Sequence, residues 1–289
     1  MPIKSYGEIM STPNMLSARE AIEYLSIPPK HFKNYTESSC EIPRRKIGAR
    51  WYYKQSDLDE WNLLRSTRVI KVSMKEYTEC FKFAILMAYS SNATRGTGIR
   101  GTRSEVQKAD DFIFGILAEY GFQKFLRRKF GIKVKLDTEV HPAEITPQDI
   151  VEVYKNDSWR APKKNIAIKS SKYKSCFNVI DPLEYENAGR KSDYYVFVRV
   201  GLPSDHLFRI LRNHWFFKDV KKELERLQDF RKIEALDDVE VWICGYSLHR
   251  ELRKVREIPG QEFDGYRYVA SVGEMHNSDN DWLKFKGKL

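Results

Sequence analysis

Hydrophobic and polar positions follow two different periods along the chain, and these predict both helices and strands. Apolar residues spaced three or four apart predict helices over 69–89, 104–129 and 204–235, and a basic helix over 248–256. Alternating or continuous apolar runs predict strands at 133–140, 149–154, 165–170, 194–200, 239–244 and 266–272. Helices interspersed with strands favour the α/β or α+β class, with a mixed central β-sheet flanked by helices.

The N-terminal segment has a pattern of its own. Ser17 and Glu20 predict a capping box for a first helix, which ends before two consecutive prolines. A second short helix is predicted over 30–36, a β-hairpin turns at Gly48, and a third helix leads to Trp61. The hairpin carries five cations and no acid: Arg44, Arg45, Lys46, Arg50 and Lys54.

This order of helices and basic hairpin resembles the excisionase/MerR-like winged helix-turn-helix family over about residues 15–65. The resemblance implies that segment 30–36 enters a major groove while the hairpin cations hold phosphates. The residues it assigns to DNA are Lys30, Lys33, Asn34, Tyr35, Arg44, Arg45, Lys46, Arg50 and Lys54. The alternative is a small domain that packs on its own neighbour or on a partner protein, but five unopposed cations would be costly to bury.

Composition and charge narrow the class of protein. The 289 residues carry a formal net charge of +10, which suits a polyanion such as nucleic acid. No apolar run approaches the roughly 20 residues of a membrane span, and the N-terminus has no apolar signal region. The four cysteines are scattered without a CxxC pair, so we expect no zinc site and a reducing cytoplasm.

Three ionisable residues in the middle of the chain are candidates for chemistry. Glu119 is the single acid of an otherwise apolar helical segment, and Asp149 stands at the start of an apolar strand. Lys169 lies between isoleucine and serine positions at a strand end, on the same face as Ala167. A buried lysine needs an acidic partner or a phosphate, and Asp149 on a neighbouring strand would supply one.

These positions resemble the PD-(D/E)XK nuclease superfamily, to which many type II restriction endonucleases belong. The resemblance implies that Asp149 and Glu119 bind Mg²⁺ and that Lys169 orients or activates the attacking water. The expected Glu or Asp of the motif is Ala167 instead. Three explanations compete. The chain is an inactive variant, which we favour; or the acid comes from elsewhere, such as Glu119, Glu139 or Glu144; or the nuclease fold only binds DNA.

The sequence therefore predicts a winged helix-turn-helix domain over 1–66 and a nuclease domain over 67–289. Further phosphate contacts are expected from Arg100 and Arg103 in a glycine-rich loop, and from Lys172 and Lys174 after the lysine strand. The expected function is a type II restriction endonuclease: a homodimer that cuts double-stranded DNA with Mg²⁺, with a companion DNA methyltransferase protecting the host. The alternatives are a non-catalytic, excisionase-like DNA-binding regulator and a methylation-dependent or repair nuclease.

Overall fold

A computed structural model describes residues 15–38, 40–89, 104–137, 148–173, 175, 177–224, 226, 233–258 and 261–289. The α-helices are α1 (Ala18–Leu25), α2 (Pro29–Lys33), α3 (Gln55–Arg68), α4 (Met74–Ala88), α5 (Glu105–Phe130), α6 (Pro182–Glu186), α7 (His206–Leu211), α8 (Trp215–Leu224) and α9 (Asp279–Lys286). The strands are β1 (Met15–Ser17), β2 (Arg45–Ile47), β3 (Arg50–Lys54), β4 (Val69–Val72), β5 (Lys133–Leu136), β6 (Ile150–Lys155), β7 (Ser158–Arg160), β8 (Ile166–Lys172), β9 (Phe177–Ile180), β10 (Tyr194–Val200), β11 (Val239–Leu248), β12 (Arg253–Ile258) and β13 (Gln261–Ser271).

A mixed four-stranded sheet in the order β4-β11-β10-β8 forms the centre of the molecule. Strands β8 and β10 are parallel, whereas β11 is antiparallel to both of its neighbours. Strand β10 is buried at every position, as a continuous apolar run in a central strand requires. Three smaller sheets surround it, in the orders β1-β3-β2, β5-β6-β7 and β12-β13-β9.

Helix α5 covers one face of the central sheet. It starts with a capping box between Ser104 and Gln107 and ends at Gly131, whose φ of +67° closes the last turn. Its buried side chains, such as Phe122 and Phe125, share an apolar core with Val196 of β10. This packing positions the buried face of α5 on the sheet.

The N-terminal helices and hairpin cover the other face of the sheet. Phe32 and Trp61 from the N-terminal segment share a second apolar core with Tyr195, Phe197 and Trp242 of the central strands. Helix α3 runs into β4 without an intervening linker, across the domain boundary predicted after residue 66. The N-terminal segment is therefore packed directly against the central sheet.

Most of the predicted elements are confirmed, although the pattern over 204–235 forms two shorter helices, α7 and α8, and two other elements are corrected. The long helix predicted over 104–129 is α5, and the strand predicted over 194–200 is β10. The first residues of the helix predicted over 69–89 instead form β4, because their apolar side chains complete the edge of the central sheet. The basic helix predicted over 248–256 is wrong: a short 3₁₀ turn leads there into β12, which pairs with β13.

No helix within the described ranges is long and apolar enough to cross a membrane.

Candidate catalytic cluster and nucleic-acid interface

Asp149 closes the outer edge of strand β8. Its backbone N–H donates to the carbonyl of Ile166 at 3.4 Å, and its carboxylate accepts the N–H of Ile168. The Asp137 N–H donates in turn to the Asp149 carbonyl at 3.3 Å. Because main-chain groups of an edge strand hold it, the Asp149 carboxylate has a fixed position beside β8.

Lys169 extends from the same strand and forms an ion pair that the sequence did not predict. Its Nζ lies 2.7 Å from an Oε of Glu184, and the two side chains are 29 % and 28 % exposed. Glu184 belongs to α6, a five-residue helix whose N-cap Asp181 accepts the N–H of Leu183 at 2.9 Å. The short connection between β9 and β10 thus brings a further carboxylate to the predicted lysine.

Glu119 approaches the same edge from helix α5. It is half-buried on the helix that packs on the central sheet. Its charge and those of Asp149, Lys169 and Asp137 influence one another electrostatically. Glu119 of α5 is thus within electrostatic range of Asp149, which precedes β6, and of Lys169 on β8.

The pKa values of the cluster are displaced from their ordinary values. Burial raises the pKa of Asp149 to about 6, although the charge of Lys169 and the N–H of Ile168 act in the opposite direction. Burial, together with the charge of Asp149, raises the pKa of Glu119 well above its usual range. Burial lowers the pKa of Lys169, but the carboxylates of Glu184 and Asp149 outweigh that effect and leave it raised.

The chemistry of these side chains suits a hard divalent cation only in part. Carboxylate oxygens are the donors that Mg²⁺ prefers, and Mg²⁺ commonly takes one or two carboxylates together with water and phosphate oxygens. Glu119 and Asp149 meet that description as a pair whose charges repel each other. Among the described residues, however, no group of three or more His, Cys, Asp or Glu side chains is arranged to hold a metal ion.

Ala167 occupies the place where the resemblance expects an acid. It shares a face of β8 with Lys169 and pairs in register with Tyr195 of β10. Its side chain is 2 % exposed and belongs to the apolar core beneath the N-terminal segment. Glu139 and Glu144, which could replace the missing acid, lie outside the described residues.

The N-terminal segment presents most of its predicted cations to solvent. Capping of α1 by Ser17 and Glu20 is confirmed, and the hairpin of β2 and β3 turns at Gly48 with a φ of +60°. The exposed cations of α2 and the hairpin are Lys30, Lys33, Arg45, Lys46, Arg50 and Lys54. Asn34, in the π-helical turn that follows α2, is half-buried. This surface has the charge needed to hold DNA phosphates.

Tyr35 is a correction to the predicted DNA contacts. It is 2 % exposed, and its ring packs against Trp61, Tyr173 and Trp242 while its hydroxyl accepts from Arg65. A large aromatic ring on a short helix is equally suited to the core, and here the central sheet covers it.

Arg44 is less available for DNA contacts than the hairpin sequence suggested, because it already has partners within the protein. Its guanidinium lies 3.4 Å from Glu37 and 4.2 Å above the ring of Trp51. Glu37 precedes the hairpin in the sequence, so a search for acids within the hairpin alone could not find this partner. Glu37 also lies 3.8 Å from Lys33.

The remaining predicted phosphate contacts are only partly placed. Lys172 is exposed at the end of β8, beyond Lys169 on the same strand. Arg100, Arg103 and Lys174 lie outside the described residues.

Comparison with known proteins identifies the N-terminal segment. Residues 15–61 match the family model of a helix-turn-helix domain. No curated protein and no solved structure matches the chain. Helix-turn-helix domains are DNA-binding modules, so the match indicates DNA as a partner. Residues 15–61 are thus a helix-turn-helix domain fixed to one face of a mixed α/β core.

Proposed function

We propose that this protein is a Mg²⁺-dependent, site-specific endonuclease for double-stranded DNA, of the type II restriction class. The observation that carries the proposal is the placement of Asp149 and Lys169 at the edge strand β8, within electrostatic range of Glu119. A lysine beside two carboxylates, on a chain with a helix-turn-helix domain, suits hydrolysis of a DNA phosphodiester.

Each side chain of the cluster has a role that follows from its surroundings. Glu119 and Asp149 would hold Mg²⁺, which neutralises charge developing on the phosphate. Lys169 keeps its proton because Glu184 and Asp149 raise its pKa, so its ammonium can orient a water or a phosphate oxygen. The main-chain bonds of Asp149 keep the carboxylate in place while DNA binds.

Two explanations for Ala167 enter the proposal. In the first, the chain is an inactive variant that a Glu or Asp at position 167 would restore. In the second, Glu184 supplies the missing carboxylate, since it already contacts Lys169 at 2.7 Å. The burial of Ala167 in an apolar core supports the second explanation, because a carboxylate at that position would lose its hydration.

A plasmid-cleavage assay with Mg²⁺ tests the proposal and separates the explanations. If Glu184 completes the site, the unaltered chain yields discrete fragments, and Glu184→Gln, Asp149→Asn and Lys169→Met each slow cleavage by about 100-fold or more. Glu152→Gln is the matched control, because Glu152 is paired with Lys135 at 3.5 Å on the adjacent sheet. Fragments from Ala167→Glu alone would identify the chain as the inactive variant.

The finer features of a restriction enzyme belong to the same proposal. Cutting both strands at one site calls for two clusters, so we expect a homodimer, which sedimentation can test. A companion methyltransferase predicts that methylation of the site blocks cleavage. Cleavage of methylated DNA only would instead indicate a methylation-dependent nuclease, and cleavage at lesions only would indicate a repair enzyme.

A non-catalytic DNA-binding regulator is the second candidate function. Ala167 favours a regulator, because the nuclease motif that this segment resembles has a carboxylate at that position. The helix-turn-helix domain would supply DNA binding without chemistry. Tight, salt-sensitive binding with no cleavage by the unaltered chain or by Ala167→Glu, on methylated and unmethylated DNA alike, would establish this function.

A further inference from the structure

A large cavity with a basic wall lies between β4, α5 and β5. Its volume is about 920 Å³, and residues of β4, α5 and β5 line it. Five of the lining residues are cations: Lys71, Lys124, Arg127, Arg128 and Lys133. The inner wall is apolar and aromatic, with Ile70, Ile132, Val134 and Tyr120.

Most of these cations are available to a ligand. The acid on the wall, Glu76, is already bound to Lys124 at 2.8 Å. Among the described residues, Lys71, Arg127, Arg128 and Lys133 have no carboxylate within ion-pair distance, 4.0 Å, and all four side chains are exposed. Four exposed cations around one cavity favour an anionic ligand.

The helix dipole explains only part of this charge. Cations in the last turn of a helix are favoured by the dipole, and Arg127 and Arg128 lie in the last turn of α5. Lys71 and Lys133, however, come from two strands of different sheets and line the same cavity. Convergence of cations from three elements therefore requires another reason.

A second, smaller cavity adjoins this basic surface on the side of β5 and β7. It has a volume of about 230 Å³ and shares Tyr120, Gln123 and Val134 with the first cavity. Its other lining residues include Leu136 and the half-exposed ring of Trp159. Leu136 precedes Asp137, whose charge acts on Glu119 and Asp149. On α5, Glu119, Gln123 and Arg127 follow one another at four-residue intervals, so they lie along one side of the helix.

We propose that the two cavities form a groove that holds a nucleic-acid strand as it leaves the catalytic cluster. The cations bind phosphodiester groups, and Tyr120 and Trp159 provide surfaces for bases or sugars. This inference rests on the proposed function for the direction of the strand. The residues of this groove that contact DNA are different from those of the helix-turn-helix domain.

The test measures binding of a short fluorescein-labelled DNA duplex by anisotropy, in Ca²⁺ without Mg²⁺, over a range of salt concentrations. Arg127→Ala/Arg128→Ala should weaken binding about tenfold and lower the slope of log K against log salt by about 2, because two phosphate contacts are lost. Lys71→Gln/Lys133→Gln, on exposed strand positions, should act similarly. Lys218→Ala/Lys222→Ala removes the same charge from α8, outside the cavity, and should leave the slope unchanged.

The outcomes separate this groove from the proposed chemistry. If both cavity pairs leave affinity and slope unchanged while cleavage persists, the groove is overturned and the nuclease proposal stands. If the slope falls in both pairs although the chain cuts no DNA, the groove stands without the chemistry. ATP at low concentration could instead displace the duplex from the unaltered chain but not from the cavity variants. That result would overturn the proposed strand groove in favour of a mononucleotide site.

Discussion

The ionised carboxylate of Asp149 destabilises the folded protein, so its effect on stability depends on pH. Its pKa is raised from 3.8 in the unfolded chain to about 6 by burial, so the folded protein holds the proton more tightly. The free energy of unfolding therefore falls as pH rises from about 4 to about 6, and the penalty persists above that window. The substitution Asp149→Asn removes the penalty while keeping an oxygen that accepts the Ile168 N–H.

We expect Asp149→Asn to be more stable than the unaltered protein above about pH 6 and to lose that advantage towards about pH 4. Urea denaturation across this range measures the difference. Glu152→Gln serves as control: Glu152 lies on β6 in an ion pair with Lys135, so its neutralisation should not stabilise the protein above about pH 6. A constant difference at every pH would contradict the assigned cause.

The residues of the candidate site were only partly predictable. Asp149 and Lys169 were identified because each stands at the end of an apolar strand segment, and a buried charge needs a partner. Glu184 was missed because α6 has five residues and no apolar period that would place it in space. The burial of Tyr35 was missed for a similar reason: nothing in a short helix shows which distant sheet will cover it.

At the scale of elements, the contact between α5 and the central sheet depends on Gly121. A Cβ built there would lie 2.4 Å from a methyl group of Val241, closer than two non-bonded carbon atoms can approach. We therefore expect Gly121→Ala to destabilise the protein by about 1–3 kcal/mol through overpacking. Because Glu119 is two residues away, the same change should also shift the catalytic cluster.

The matched control is Gly115→Ala on the same helix. A Cβ there meets nothing within 4 Å, so the better helix propensity of alanine should raise stability by up to about 1 kcal/mol. Thermal unfolding should therefore show a higher midpoint temperature for Gly115→Ala and a lower one for Gly121→Ala. Equal destabilisation by both would show that close approach at Gly121 is not the cause.

Long, strongly periodic elements were predictable, and short or charged ones were not. Helix α5 and strand β10 are recognisable because their apolar patterns extend over many residues. Strand β4 has four residues and was joined to the following helix, although Ser73 caps that helix separately. Strand β12 carries mainly exposed charged side chains, so only its pairing with β13 defines it.

At the scale of the whole molecule, the helix-turn-helix domain and the α/β core behave as one structural unit. Their apolar side chains form a common core, and the buried guanidinium of Arg199 on β10 pairs with Glu41 of the N-terminal segment. Glu41 also accepts from the indole of Trp61 at 3.1 Å. DNA bound by the N-terminal domain would therefore have a defined position relative to the edge of β8.

The Glu41–Arg199 pair provides the test of this rigid connection. Arg199 is 1 % exposed, so removal of the facing charge by Glu41→Gln leaves a buried cation and should destabilise the protein by about 3 kcal/mol or more. The double variant Glu41→Gln/Arg199→Met removes both charges and should recover most of that loss. Glu240→Gln, in the more exposed pair with Arg65, should cost about 1 kcal/mol or less.

Urea denaturation followed by far-ultraviolet circular dichroism and by tryptophan fluorescence measures these differences. If the two domains share one core, both probes report a single transition in every variant, and Glu41→Gln moves the whole transition. A separate early transition confined to one probe would instead mean that the helix-turn-helix domain unfolds on its own. In that case the domain could not hold DNA at a fixed distance from Asp149 and Lys169, and the positional link between binding and cleavage would be lost.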